Sequence, residues 1–161
     1  MPSLMRYINI VSRCAAIWRA DKLEGTDLGD QHHSYIFTVC RHPGISQEAI
    51  ARRLFINKSN VTRSLSYLEE KGYVTRERDP EDRRSILVYP TDRAYEALPS
   101  IREIIRGWNS YITEGFTEEE MEMYMAMTER IAARAADYAK LSSDAYTDLD
   151  SATKPKKEDG Q

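Results

Sequence analysis

Apolar side chains recur at Tyr7, Val11, Cys14 and Trp18, with Ile8, Ile10, Ala15 and Ile17 widening the stripe. The spacing predicts a helix over about residues 5–19, covered on more than one side. Residues 21–30, with Gly25, Gly29 and four acids, read as a loop. A second apolar stretch over about 31–40 predicts a short helix that His42-Pro43-Gly44 stops. Ser46 is a cap for a third helix ending near Leu54, with Glu48 in its first turn and Ile45 and Ile50 at staple positions. After the connection Phe55-Ile56, Asn57 caps a longer helix from Lys58 to Lys71, which Gly72 terminates. The period then changes. Residues 73–78 and 85–89 are β-type runs around the turn Asp79-Pro80-Glu81-Asp82. Thr91 can cap a helix to about Glu114, and a last helix runs from about Glu118 to Lys140.

These elements predict a mainly α fold with a small β-hairpin wing. One unit covers 1–141, with a winged helix-turn-helix lobe at about 31–90 and helices at about 5–20 and 91–140. A polar tail at 142–161 is expected to be disordered. At 161 residues with 41% apolar and 30% charged composition and a mean hydropathy of -0.62, the chain can fill one core and has no apolar run long enough to span a bilayer. No signal segment is evident, so a cytoplasmic location is expected. Cys14 and Cys40 sit in apolar-rich sequence and read as buried thiols.

The net charge of -3 conceals an uneven distribution: residues 46–90 hold nine Lys/Arg against seven Asp/Glu, and residues 91–161 nine against fifteen. An acidic total therefore leaves a nucleic-acid partner open, because binding depends on where basic groups face. In the helix after Asn57, Val61, Leu65 and Leu68 share a buried face. Ser59, Arg63, Ser66 and Glu70 lie opposite, with Asn60, Thr62 and Tyr67 on the flanks. Arg can bond two acceptors on guanine, Asn can pair with adenine, and Ser or Thr can reach bases or phosphates, so this face suits a major groove and Arg63 is the first choice for base readout. Any exposed amphipathic helix shows such residues. The hairpin adds Arg76, Arg78, Arg83 and Arg84, which with Lys58, Arg52 and Arg53 are placed to neutralise phosphates on either side of a groove. The acids Glu77, Asp79, Glu81 and Asp82 leave open that part of this charge is only solvated surface.

Gly44-Ile45-Ser46-Gln47-Glu48-Ala49-Ile50-Ala51, Asn57-Lys58-Ser59-Asn60-Val61-Thr62-Arg63, Leu68-Glu69-Glu70-Lys71-Gly72-Tyr73-Val74 and Asp79-Pro80-Glu81-Asp82-Arg83-Arg84 resemble the MarR family of bacterial transcriptional regulators, over roughly residues 5–140. Asn57 stands where an aspartate cap is frequent, and Ala94 where a glycine often follows the Thr of the next helix. The resemblance implies a homodimer on a pseudo-palindromic operator, a repressor or less often an activator, released by small, often aromatic, ligands or by oxidation. It assigns Ser59, Asn60, Thr62 and Arg63 to the groove. Asp82 and Arg84 match a wing pair in which the acid orients an arginine directed into the minor groove. Its ligand crevice would be lined here by Trp18, His32, His33 and Tyr35.

The apolar excess of the terminal helices, including Ile101, Ile104, Ile105, Trp108, Tyr111 and Ile112 and the Met-rich last helix, predicts pairing across a two-fold axis. The expected partners are therefore double-stranded DNA, a second copy of the chain and a small aromatic effector, with no membrane. Two other readings stay open: a redox-responsive regulator acting through Cys14, and a winged helix that binds protein without operator specificity. No cofactor is expected. His32, His33, His42 and Cys40 lack a metal-ligand spacing, and no catalytic motif occurs, so neither a metal nor an enzymatic activity is expected.

Overall fold

Three helices start on side chains that satisfy their open first turns. Ser46 Oγ accepts from the Ala49 amide at 3.1 Å, and Asn57 Oδ1 accepts from the Asn60 amide at 2.9 Å. Thr117 and Glu120 form a reciprocal capping box at the start of the last helix. In the computed structural model, which describes residues 3–139, the order is α1 (Leu4–Lys22), α2 (His32–Arg41), β1 (Ile45–Ser46), α3 (Gln47–Leu54), α4 (Lys58–Glu70), β2 (Val74–Arg78), β3 (Ile86–Pro90), α5 (Asp92–Ile112) and α6 (Glu118–Tyr138). The tail expected at 142–161 lies outside the described residues.

Helices α3 and α4 end alike. The amides of Gly72 and Tyr73 return to the carbonyls of Glu69 and Leu68, and those of Phe55 and Ile56 to Arg52 and Ala51. Gly72 takes the left-handed position at φ 75° without strain, whereas Phe55 holds it at φ 56° as a side-chain-bearing residue. The sequence had shown residues 55–56 only as a connection. Phe55 is thereby turned outward, half exposed, at the corner between the two helices.

The wing pairs β2 with β3 in antiparallel register, Arg76 opposite Val88 and Arg78 opposite Ile86. A third strand, β1, lies on the other edge of β3 with Ile45 opposite Val88. Two residues show no alternation, which is why the pattern of polar and apolar positions did not reveal it. Inside, Tyr35, Ile36 and Val39 of α2, Ile50 of α3, Val61, Leu65 and Leu68 of α4 and Val74 and Val88 of the wing form one core, closed by Ala94 and Ile101 of α5. Ile101 is thus interior, and Ile104 and Ile105 pack against the same core, so this part of the α5 stripe is covered within its own chain. Thr91 does not cap α5 with its side chain. Its hydroxyl points instead to the carbonyls of Gly72, at 2.7 Å, and Tyr73, at 3.0 Å, and ties the start of α5 to the end of α4.

The terminal helices are the least covered. In α1 only Ala15 is buried, and Leu4, Met5, Tyr7, Ile8, Ile10, Val11 and Ile17 are exposed. The covering expected on more than one side of this helix is therefore absent within one chain. Cys14 is exposed as well, against the expectation of a buried thiol. Cys40 is half-buried, and burial pushes its thiol up to about 11. In α6, Tyr124, Met127, Ile131 and Tyr138 line one face and remain exposed, while Ala132, Ala135, Ala136 and Ala139 turn toward Phe55 around a hollow of about 250 Å³.

Candidate nucleic-acid interface

Core packing decides which side of α4 is free. With Val61, Ser64, Leu65 and Leu68 buried, Lys58, Ser59, Asn60, Thr62, Arg63 and Ser66 are all exposed. The first turn of this helix is partly occupied by its own bonds: Ser59 Oγ donates to Asn57 Oδ1 at 2.8 Å, and Thr62 Oγ1 donates to the Lys58 carbonyl at 3.0 Å. Both hydroxyl oxygens still face outward with acceptor capacity. The Arg63 guanidinium engages no acidic partner among the described residues.

The basic residues divide once their neighbours are known. Arg76 lies on β2 with its guanidinium bonded to Glu69 at 2.6 and 2.9 Å, and Glu69 also accepts from the Arg76 amide at 3.1 Å. That arginine is structural, joining the wing to α4. Lys58 Nζ lies 2.6 Å from Glu48, and Arg52 lies 3.9 Å from the same carboxylate. The hydrogen bond from Lys58 holds the Glu48 carboxyl below its usual range. By contrast Arg83 and Arg84 stand exposed at the tip of the wing, and no ion pair holds either among the described residues.

The wing tip is shaped by local bonds. Asp79 Oδ1 accepts from the Glu81 amide at 2.9 Å, Asp82 Oδ1 from the Arg84 amide at 3.0 Å, and the Asp82 carbonyl from the Ser85 amide at 2.8 Å. Asp82 thus contacts the backbone of Arg84 and not its guanidinium. It fixes the direction in which that side chain leaves the turn.

The four residues assigned to a ligand crevice have different surroundings in the single chain. Tyr35 is 1% exposed in the middle of the core. His32 is buried, stacked on Tyr67 at 4.9 Å, with Nδ1 accepting from the Gly29 amide at 2.9 Å. His33 Nδ1 lies 2.6 Å from the Asp30 carbonyl, an acceptor only, so this nitrogen carries the proton. Trp18 belongs to a separate cluster, its Nε1 donating to the Ile104 carbonyl at 3.1 Å and its ring 5.9 Å from Trp108 and 5.8 Å from Tyr111. Helical spacing could place these residues on their elements, but whether each ring turns inward or outward depends on what packs over it.

His33 gives a pH signature. Burial, aided by Arg19, holds its imidazole down at about 4 against an ordinary value near 6.5. Between those values the unfolded chain binds a proton that the folded chain does not, so stability falls as pH drops from about 6.5 and levels off below about 4. Burial lowers His32 too, in the same sense. Denaturant unfolding across this window is expected to show the slope, flattened in His33→Gln; an unchanged slope in the variant would assign it to other groups.

Among the described residues no helix is long and apolar enough to cross a membrane, and no group of three or more His, Cys, Asp or Glu comes together as a metal site. A family model described as the MarR family matches residues 26–85, which hold α2 to α4 and most of the wing. The HTH-type transcriptional regulator YybA of Bacillus subtilis (strain 168), itself uncharacterized, is 23% identical over 131 residues, 81% of this chain and 87% of its own. A crystal structure of MarR superposes with a TM-score of 0.79 at 29% identity, over 86% of this chain and 94% of that one. A MarR family regulator from Listeria monocytogenes, solved in complex with 26mer DNA, shares the fold with a TM-score of 0.78 at 23% identity, over 85% of this chain and 91% of its own. Residues 26–85 thus match the MarR family model, and the chain shares its architecture, terminal helices included, with a solved MarR.

Proposed function

We propose that this protein is a homodimeric, sequence-specific DNA-binding regulator, a repressor that sits on a pseudo-palindromic operator and is released by a small aromatic ligand in the cytoplasm. One observation carries the DNA reading: Arg63 on the outer face of α4 and Arg83 and Arg84 at the wing tip are exposed without an acidic partner among the described residues, while Arg76, Lys58 and Arg52 are engaged by Glu69 and Glu48. Guanidinium groups left open on a helix and an adjoining hairpin suit one duplex, the helix in the major groove and the tip along the flanking backbone or minor groove. The uncovered faces of α1 and α6 support pairing with a second copy, which would place two recognition helices about one turn, ~10 bp, apart. The part-exposed rings of Trp18, Trp108 and Tyr111 support an aromatic effector better than the buried Tyr35 does.

The test is binding to duplex DNA selected from genomic fragments. Arg63→Ala is expected to lose about 1–3 kcal/mol of discrimination at one base position, and Arg84→Ala to weaken binding across sequences with a salt slope smaller by about one. Gel shifts in which both variants bind like the parent would contradict these roles. Binding that ignores salt would favour a protein partner instead.

A further inference from the structure

The winged lobe joins the terminal helices through only two stretches of chain: residues 23–31 from α1, and the passage from β3 into α5. Both meet the C-terminal end of α4, and Asp27, on the first of them, bonds to α5 and to the end of α4. Its carboxylate lies 2.5 Å from Arg93 in the first turn of α5 and 3.9 Å from Lys71 at the end of α4. Its carbonyl accepts from the Tyr67 hydroxyl at 2.8 Å. Arg93 also donates to the Lys71 carbonyl and lies over the Tyr73 ring at 4.5 Å.

The stretch that carries Asp27 is itself stiff. Leu23 and Leu28 are buried in the core on either side of it. Thr26 Oγ1 donates to the Leu23 carbonyl at 2.7 Å and accepts from the Leu28 amide at 3.1 Å. His32, just beyond, stacks on Tyr67. A turn pinned on both sides can transmit the direction of α1 to whatever it holds, and what it holds is the end of the recognition helix and the start of α5.

We propose that Asp27 is a positioning residue that fixes the angle of α4 against α1 and α5, and through it the half-site separation that the dimer accepts. The inference rests on the DNA-binding reading above. The carboxylate touches no base-reading side chain, so its removal leaves the face of α4 intact and loosens only the orientation of one lobe relative to the other.

The experiment uses a duplex enriched by the full-length parent from a random library, the same duplex with its centre lengthened or shortened by two base pairs, and a single half-site. The parent is expected to bind the altered spacings at least about tenfold more weakly. Asp27→Asn, which keeps the Tyr67 bond to the backbone, is expected to narrow that difference to within about threefold while single half-site affinity stays at the parent value. Arg93→Gln, which breaks the same pair from the other side, should behave alike, and Asp27→Glu should restore part of the discrimination. Variants that keep the parent's spacing discrimination, or that lose half-site and full-site affinity in equal proportion, overturn the proposal. A parent that enriches no duplex overturns the DNA-binding reading first and this inference with it.

Discussion

For the proposed homodimer, Ile131→Asp should raise the dissociation constant by about two to three orders of magnitude and leave a monomer at working concentrations. Ile131 lies on the face of α6 shared by Tyr124, Met127 and Tyr138, all exposed in the single chain. The side of α6 toward Phe55, lined by Ala132, Ala135, Ala136 and Ala139, is centred about a quarter turn away. A carboxylate at Ile131 therefore costs little in the monomer, where water reaches it. Inside an apolar interface it must be desolvated or break the packing, an effect of about 3–4 kcal/mol. Sedimentation equilibrium reads it directly, with Glu122→Gln on the opposite side of α6 as the unaffected control. Operator affinity should fall in parallel, since two half-sites no longer reinforce each other once the copies separate. A variant that self-associates as tightly as the parent would contradict pairing through this face of α6.

Leu65→Ala is expected to cost about 2–5 kcal/mol of folding stability. Leu65 is fully enclosed at the centre of the core, between Val61 and Leu68 on the same face of α4. Truncation leaves a cavity against β2, α2 and α3, which cannot close without moving α4. Set against the roughly 5–15 kcal/mol that holds a domain of this size together, the loss lowers the melting temperature by about 4–20 °C. Ser66→Ala, one residue on and facing outward, should change stability by less than about 0.5 kcal/mol. Thermal and urea unfolding of the pair separates the inner face of α4 from the outer one. A Leu65→Ala variant within 1 kcal/mol of the parent would contradict the packing described for this helix.

The two faces of α4 were legible because they follow from a helical repeat among near neighbours, and so were its asparagine cap and glycine stop. The uses of charge were not. Arg76 and Arg84 look alike in sequence, each in a basic, acid-flanked hairpin, yet one is held by Glu69 and the other is open. The burial of Tyr35 was illegible for a similar reason: a tyrosine on a short helix can face a crevice or a core, and the pattern within α2 does not distinguish them. Phe55 shows a third kind of gap, since a phenylalanine carries no propensity for the left-handed position it holds at φ 56°. Packing imposed it, because α3 must end and α4 begin within three residues.

Taken alone, the order of amino acids determined where the helices and the wing lie, which face of α4 points outward and which family the chain resembles. Those properties depend on periodicity, caps and turns, all of them interactions across a few residues. Tertiary structure decided which arginines remain open, that Tyr35 lies inside the core, that α1 and α6 carry uncovered apolar faces, and that Asp27 meets Arg93 across 66 positions of chain. Such pairings are set by the folding of distant segments onto a common core, and the spacing of residues along the chain holds no record of them.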